Sequence, residues 1–184
     1  MASVTIVGDG PGGLSAALFL AKSGHDVTVF GTDETAMHYA YLYNYLGIIE
    51  ISGTDFQSIA REQVRGFGAA LRDERVTAVT ASDDGFTVST DDGTTVSSDY
   101  LIMTEGKKPD LARRLGPELT EDGIAVDNQY RTSIDRLYVV GRSARPNRSQ
   151  AIISAGAGAT AALDIMSREA GKDVQDWDSP PKDA

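Results

Sequence analysis

The sequence predicts an α/β protein: a central, mainly parallel sheet with helices on one face and a three-stranded β-meander on the other. Three observations carry that reading. A β-branched strand, SVTIVG (residues 3–8), runs through a glycine turn into an amphipathic helix and a second buried strand, DVTVFG (26–31). Short strands separated by Asp-Asp-Gly turns follow in the middle of the chain. A long helix rich in small residues, SQAIISAGAGATAALDIMSREAG (149–171), comes late. Strands joined through a helix read as parallel; strands joined by tight turns read as antiparallel.

The opening unit points to a ligand class. Its turn, GDGPGG, spaces glycines at Gly8, Gly10 and Gly13, with Pro11 and Gly12 between the last two. Gly8 permits the tight exit from the strand, Gly10 lets a pyrophosphate approach the backbone, and Gly13 lets the helix pack close. The helix start offers free N–H groups and partial positive charge to phosphates. Leu14, Ala17, Leu18 and Ala21 form the buried stripe, and Gly24 is a natural helix stop. A bare GxGxxG is weak. With a strand before it and a helix and strand after it, the motif reads as a Rossmann-like dinucleotide-binding turn. The alternative is a glycine turn in a site that has lost its ligand.

Next comes a tyrosine-rich stretch, MHYAYLYNYLGI (37–48). Tyr39, Tyr41, Tyr43 and Tyr45 alternate, so an extended segment places all four on one face. That face is either a half-buried strand or subunit contact, or an aromatic wall beside a planar cofactor. Residues 52–69 form a helix, with Thr54 as cap, Gln57 at the capping-box position, and Phe56, Ile59, Ala60, Val64 and Phe67 inward. Residues 75–104 read as strands turning at Asp83–Gly85 and Asp91–Gly93. The continuous apolar run YLIMT (100–104) returns to the central sheet. A connection with a short helix follows, then short strands at GIAVD (123–127) and LYVVG (137–141). Residues 1–171 read as one domain and 172–184 as a polar tail, with Trp177 as its anchor.

Composition narrows the chemistry. The 184 residues contain no cysteine, which removes disulfides, thiolate metal sites and cysteine redox pairs. His25 and His38 are the only histidines, too few for a histidine-rich metal site. A net charge of −10 argues against nucleic acid. The acid is spread along a chain with five lysines, which fits a high-salt cytoplasm better than an ordinary acidic protein. No run approaches the ~20 apolar residues of a membrane span. The chain enters its first strand directly, so no signal peptide and a cytoplasmic location are expected.

The order of these pieces resembles the FAD domain of the thioredoxin reductase-like branch of the pyridine nucleotide-disulfide oxidoreductases. The likeness runs from Val4 to Leu163. It rests on GDGPGG; on YNYLG (43–47), similar to that family's asparagine-tyrosine-proline-glycine turn; and on SGTDF followed by EQVRGFGA. It also rests on TEG, ending at Gly106, and on VVGR followed by SQAIISAGAGATAAL. The resemblance implies that residues 8–13 hold the FAD pyrophosphate and that the backbone of Val76 meets the adenine. It places Asn44 near the flavin and Gly141–Arg142 along the ribityl and phosphate portion. Gln150, Ala151 and Ile152 would open the last helix at the pyrimidine edge of the flavin, where a helix start favours the negative charge of the reduced ring.

The departures matter as much. Where the family ends its second strand with an acid for the adenosine ribose, this chain has Gly31; Asp33 and Glu34 follow, as ribose ligands or as a solvated turn. Arg142 replaces the family's aspartate, with Arg145 and Arg148 nearby, either for phosphate or an acidic substrate or as a basic surface loop. Only sixteen residues separate Gly106 from Gly123, so a nicotinamide-binding domain has no room there. A GxGxxA match at Gly156, Gly158 and Ala161 has no strand before it and reads as close helix packing. The reading is a minimal FAD-binding flavoprotein, an oxidoreductase that exchanges electrons with a partner protein or diffusing NAD(P)H. Its catalytic residues are not evident. His38 is the one candidate near the flavin, and a lone histidine is more often structural. A homodimer is expected. The alternatives are a non-enzymatic flavin or nucleotide sensor or carrier, and a single NAD(P)-binding protein, which would need neither meander nor closing helix.

Overall fold

The computed structural model describes residues 1–180; the end of the tail, 181–184, lies outside the described residues. In chain order the first half holds β1 (Ser3–Val7), α1 (Pro11–Lys22), β2 (Asp26–Phe30), the short pair β3 (Tyr41–Leu42) and β4 (Ile51–Ser52), α2 (Gly53–Gly66) and β5 (Ala70–Arg72). The second half holds β6 (Val76–Ser82), β7 (Gly85–Thr90), β8 (Thr95–Ser98), β9 (Tyr100–Met103), α3 (Asp110–Arg114), β10 (Leu119–Thr120), β11 (Gly123–Ile124), β12 (Leu137–Val139) and α4 (Ala151–Ala170).

The central sheet has the order β12-β9-β1-β2-β5, and every neighbouring pair is parallel. Its register places Ile6 opposite both Val29 and Ile102. Alternate residues therefore serve two cores, as the two-residue period of a strand requires. Val4, Ile6, Val29, Ile102 and Tyr138 pack against Leu14, Ala17 and Leu20 of α1 and Ala157, Ala161 and Ile165 of α4. Val7, Phe30, Leu101, Met103, Leu137 and Val139 pack against Phe86 and Val88 of the antiparallel β6-β7-β8 meander. Helices on one face and the meander on the other are what the sequence predicted.

Several local expectations need correction. Strand β5 escaped the sequence reading: three residues on a sheet edge, paired with β2, are too short to show a period. Helix α2 is capped by Ser52, whose Oγ accepts from Asp55 N at 3.1 Å, and not by Thr54. Of its predicted inner face, Val64 is buried, while Ile59 and Phe67 are exposed at 58% and 45%. The polar pair Gln57 and Arg61, one turn apart, is buried instead. Among the four alternating tyrosines only Tyr41 lies in a strand; Ala36–Tyr39 forms a tight 3-10 turn that ends the alternation. The Tyr41 and Tyr43 rings sit 4.9 Å apart in solvent, whereas Tyr45 packs on Phe56 at 5.2 Å. Trp177 does not anchor the tail, being 88% exposed. Lys22 holds it, through Asp176 at 2.9 Å and Asp178 at 2.7 Å.

Helix α4 is fastened to the sheet by one buried carboxylate. Asp164 accepts from Tyr138 Oη at 2.5 Å and from Arg131 Nε at 2.7 Å. Burial pushes its pKa up, but the Arg131 and Tyr138 hydrogen bonds outweigh burial and hold it below the ordinary value. Asp164→Ala strands the buried Tyr138 hydroxyl while Arg131 keeps access to water, so it is expected to cost about 2 kcal/mol at neutral pH. A carboxyl with a depressed native pKa contributes stability above its unfolded value of about 4 and loses it as pH falls through the native one. Urea unfolding of wild type and variant should thus differ most at pH 7, and the gap should narrow as pH falls below about 4.

Candidate dinucleotide site

A cavity of 520 Å³ opens over the glycine turn at the carboxyl ends of β1, β2 and β9. This is where parallel α/β sheets bind ligands. The turn is fixed from three sides. Gly8 has φ +109°, and a Cβ there would overlap the Thr104 carbonyl beyond β9. A Cβ on Gly13 would overlap Gly8 O, and one on Gly12 would lie 3.2 Å from Ser154 O in α4. Gly10 differs: its nearest neighbour is Thr35 Oγ1 at 3.7 Å, so it faces the open cavity. Helix α1 starts with Pro11 and carries no side-chain cap, which leaves its first amides for a ligand.

A buried polar network stands behind the turn. Gln57 Nε2 donates to Asp9 O at 2.6 Å. Arg61 forks between the Asp9 and Asp73 carboxylates. The Asp33 N–H donates to Asp9 Oδ2 at 3.2 Å. Burial pushes the Asp9 carboxyl up, and Arg61 pulls it back only in part. The sequence reading missed Asp9, Gln57 and Arg61. The available signal was the four-residue spacing of Gln57 and Arg61 on α2, together with an acid set between two phosphate-loop glycines.

The structure brings most of the predicted residues together. Gly8, Gly10, Pro11, Gly12, Val76, Gly106, Arg142 and Ala151 line the cavity. Gly13 lies behind the turn, and Gly141 sits beneath it, its side-chain position 3.5 Å from Thr104 Oγ1 and Ser154 Oγ. Asp33 is not in the lining; Glu34 is, and it pairs with Arg75 at 3.1 Å. Asn44, Gln150 and Ile152 lie beyond the lining, where Asn44 Nδ2 donates to Gln150 Oε1 at 3.1 Å. That bond ties the β3–β4 loop to the start of α4. None of the four alternating tyrosines lines the cavity. His38 is outside it too, with Nε2 2.8 Å from Asp33 O and Nδ1 3.0 Å from Thr54 Oγ1. Both ring nitrogens are engaged in holding the segment after β2.

These residues fit a dinucleotide. The cradle would be filled by any Cβ at Gly8 or Gly13. Two buried lining atoms lack partners: a donor, Arg142 Nε, and an acceptor, Glu74 Oε2. A phosphate can meet the first and a ribose hydroxyl the second.

A glycine turn at the carboxyl ends of a parallel sheet, backed by a helix start, is the architecture of a Rossmann-like α/β domain. Comparison with known proteins makes this specific. The chain matches the pyridine nucleotide-disulphide oxidoreductase family over residues 2–52 and 47–159, and belongs to that family. It is 33% identical over 119 residues to a thioredoxin reductase of Streptomyces clavuligerus, covering 62% of this chain and 36% of that protein. A thioredoxin reductase of Spironucleus barkhanus is 34% identical over 89 residues, 47% of this chain and 29% of that protein. The chain thus spans about a third of the length of the curated relatives it matches. In fold it is similar to a thioredoxin reductase from Gloeobacter violaceus, with a TM-score of 0.86 at 18% identity over 97% of this chain and 99% of that one. The chain is therefore thioredoxin reductase-like, as its motifs indicated.

Proposed function

We propose that the protein binds one FAD along the cavity and works as an oxidoreductase supplied with electrons by a separate donor. The observation that carries this reading is the glycine cradle, closed by Thr104 on one side and Ser154 on the other. The Gly8–Gly13 turn and the α1 start hold the pyrophosphate with backbone N–H groups. Val76 lies against the adenine. Arg142, with Lys107 and Lys108 in the same lining, gives cationic charge to the phosphates in a chain of net charge −10. The Asn44–Gln150 hydrogen bond keeps the far end of the site in register with α4. The bound flavin supplies the hydride and electron chemistry, and the protein supplies orientation and electrostatics.

The donor is separate because residues 107–122 form only α3, β10 and their connections, which leaves no room for a second dinucleotide unit there. A partner protein or a diffusing reduced nicotinamide fills that role. Tyr39, Leu46 and Ile49, exposed at 94%, 88% and 93%, are the apolar surface we assign to a second copy of the chain. The spread of acid fits work at high salt in the cytoplasm.

The purified protein, reconstituted with FAD and passed through a desalting column, is expected to retain one flavin per chain by its visible absorbance. Anaerobic bleaching by NADH or NADPH alone then establishes a self-sufficient oxidoreductase. Retained colour without bleaching points to a partner donor or a carrier. A colourless protein stabilised by NAD(P) and not by FAD overturns the reading.

A further inference from the structure

We propose that Asp9 is the carboxylate that reads the adenosine ribose in this site, and that Arg61 holds it in position. The inference rests on the dinucleotide reading above. Dinucleotide sites of this fold place an acid at the end of the second strand, where it accepts from the ribose hydroxyls. This chain has Gly31 there, and the space a side chain would take is already full. A Cβ built on Gly31 would collide with Cβ, Cγ and Oδ1 of Asp9. A carboxylate therefore does stand at the end of β2, but it arrives from the glycine turn. Asp9 and Gly31 both line the cavity.

The rest of the network explains how an acid is tolerated beside a pyrophosphate. Arg61 and the Asp33 N–H fall on Oδ2, and Gln57 takes the main-chain oxygen. Oδ1 is the oxygen left on the Gly31 side. Arg61 is buried and charged, so it offsets the repulsion that a bare carboxylate would exert on a phosphate. The same end of the cavity carries Glu34 and the unpartnered Glu74 Oε2, while Arg75 is paired with Glu34. That lining accepts hydrogen bonds from a free ribose diol and repels a 2′-phosphate. The ligand class is an adenosine dinucleotide without a 2′-phosphate.

The test uses ADP, 2′-deoxy-ADP and 2′-phosphorylated ADP as calorimetric probes, with FAD titrated in parallel. Wild type is expected to bind 2′-deoxy-ADP about tenfold more weakly than ADP, as for one hydrogen bond to a charged group. The 2′-phosphorylated probe should bind more weakly still. Asp9→Asn keeps the shape and should lower the ribose preference to about threefold. Asp9→Ala with Arg61→Met removes the ion pair together, which protects folding, and should bind ADP and 2′-deoxy-ADP alike. With Asp9→Gly in place of Asp9→Ala, which also removes the Cβ 2.4 Å from the Gly31 side-chain position, adding Gly31→Glu should restore the preference. Arg61→Lys keeps the charge but loses the fork, and should lower the preference while the protein stays folded. An unchanged preference in the double variant assigns the ribose to Glu34 or Glu74 and overturns the proposal. So do a wild type without preference, one favouring the 2′-phosphate, and failure of ADP to bind at millimolar concentration. Ribose preference without FAD binding leaves Asp9 in place and removes FAD; FAD binding without ribose preference does the reverse.

Discussion

Gly158→Ala should cost about 3 kcal/mol and remove nucleotide binding, although alanine is the better helix former. A Cβ at this position would overlap the Gly12 carbonyl oxygen and stand 3.0 Å from Ala16 N. Both are main-chain atoms of the glycine turn and α1, so no rotamer change relieves the clash. Helices α1 and α4 must move apart, and overpacking of that kind costs roughly 1–3 kcal/mol, more where backbone meets backbone. The gain in helix propensity, about 1 kcal/mol, offsets only part of it. The ligand effect follows from the same contact, because Gly12 lines the cavity and Ser154 of α4 closes over it. Gly156→Ala is the internal control. It lies on the exposed side of α4 with nothing within 4 Å of its Cβ position, so it should stabilise by about 0.5–1 kcal/mol. Thermal unfolding and an ADP titration on the two variants provide the check. Equal behaviour at the two glycines would remove the packing explanation of this repeat.

The contrast between these two glycines shows what the chain discloses before it is folded. Gly156, Gly158 and Ala161 match a phosphate-loop pattern, and only the missing strand before them marks them as helix packing. The βαβ unit, the meander turns and the return of Tyr100–Met103 to the sheet were legible because each has its own local period or turn chemistry. Whatever depended on two distant segments meeting was not. Gln57 reads as a capping-box residue and Arg61 carries no local signal, since the partners Asp9 and Asp73 are 48 and 12 residues away from them. Gly31 read as a missing acid, because only the folded turn brings the Asp9 carboxylate into its place. The tyrosine alternation implied one long strand, yet the chain turns at Ala36–Tyr39 before it can extend. Likewise, the tail is held by charge on Asp176 and Asp178, which a search for apolar anchors overlooks in favour of Trp177.

Arg61→Met should be the most costly single change in the polar network, about 3–5 kcal/mol near neutral pH, because it leaves the Asp9 carboxylate buried without its cation. The pH dependence identifies the group responsible. Burial already pushes the native Asp9 pKa above its ordinary value, and Arg61 is the largest influence pulling it down. Without Arg61 the native value rises further. A carboxyl with a native pKa above the unfolded value of about 4 binds more protons folded than unfolded. Its penalty is absent below the unfolded value, grows as pH rises toward the native one, and stays constant above it. The gap in unfolding free energy between wild type and Arg61→Met should therefore be small near pH 4 and widest at neutral pH. Loss of the exposed arm to Asp73 adds little, since that carboxylate is 66% accessible. Asp9→Ala with Arg61→Met has no buried charge left to titrate, so its gap to wild type should vary far less with pH. Urea titrations of the three proteins between pH 4 and 8 separate the cases. A gap for Arg61→Met that does not change with pH would mean that Arg61 stabilises the fold by packing, and that the Asp9 carboxylate finds another cation.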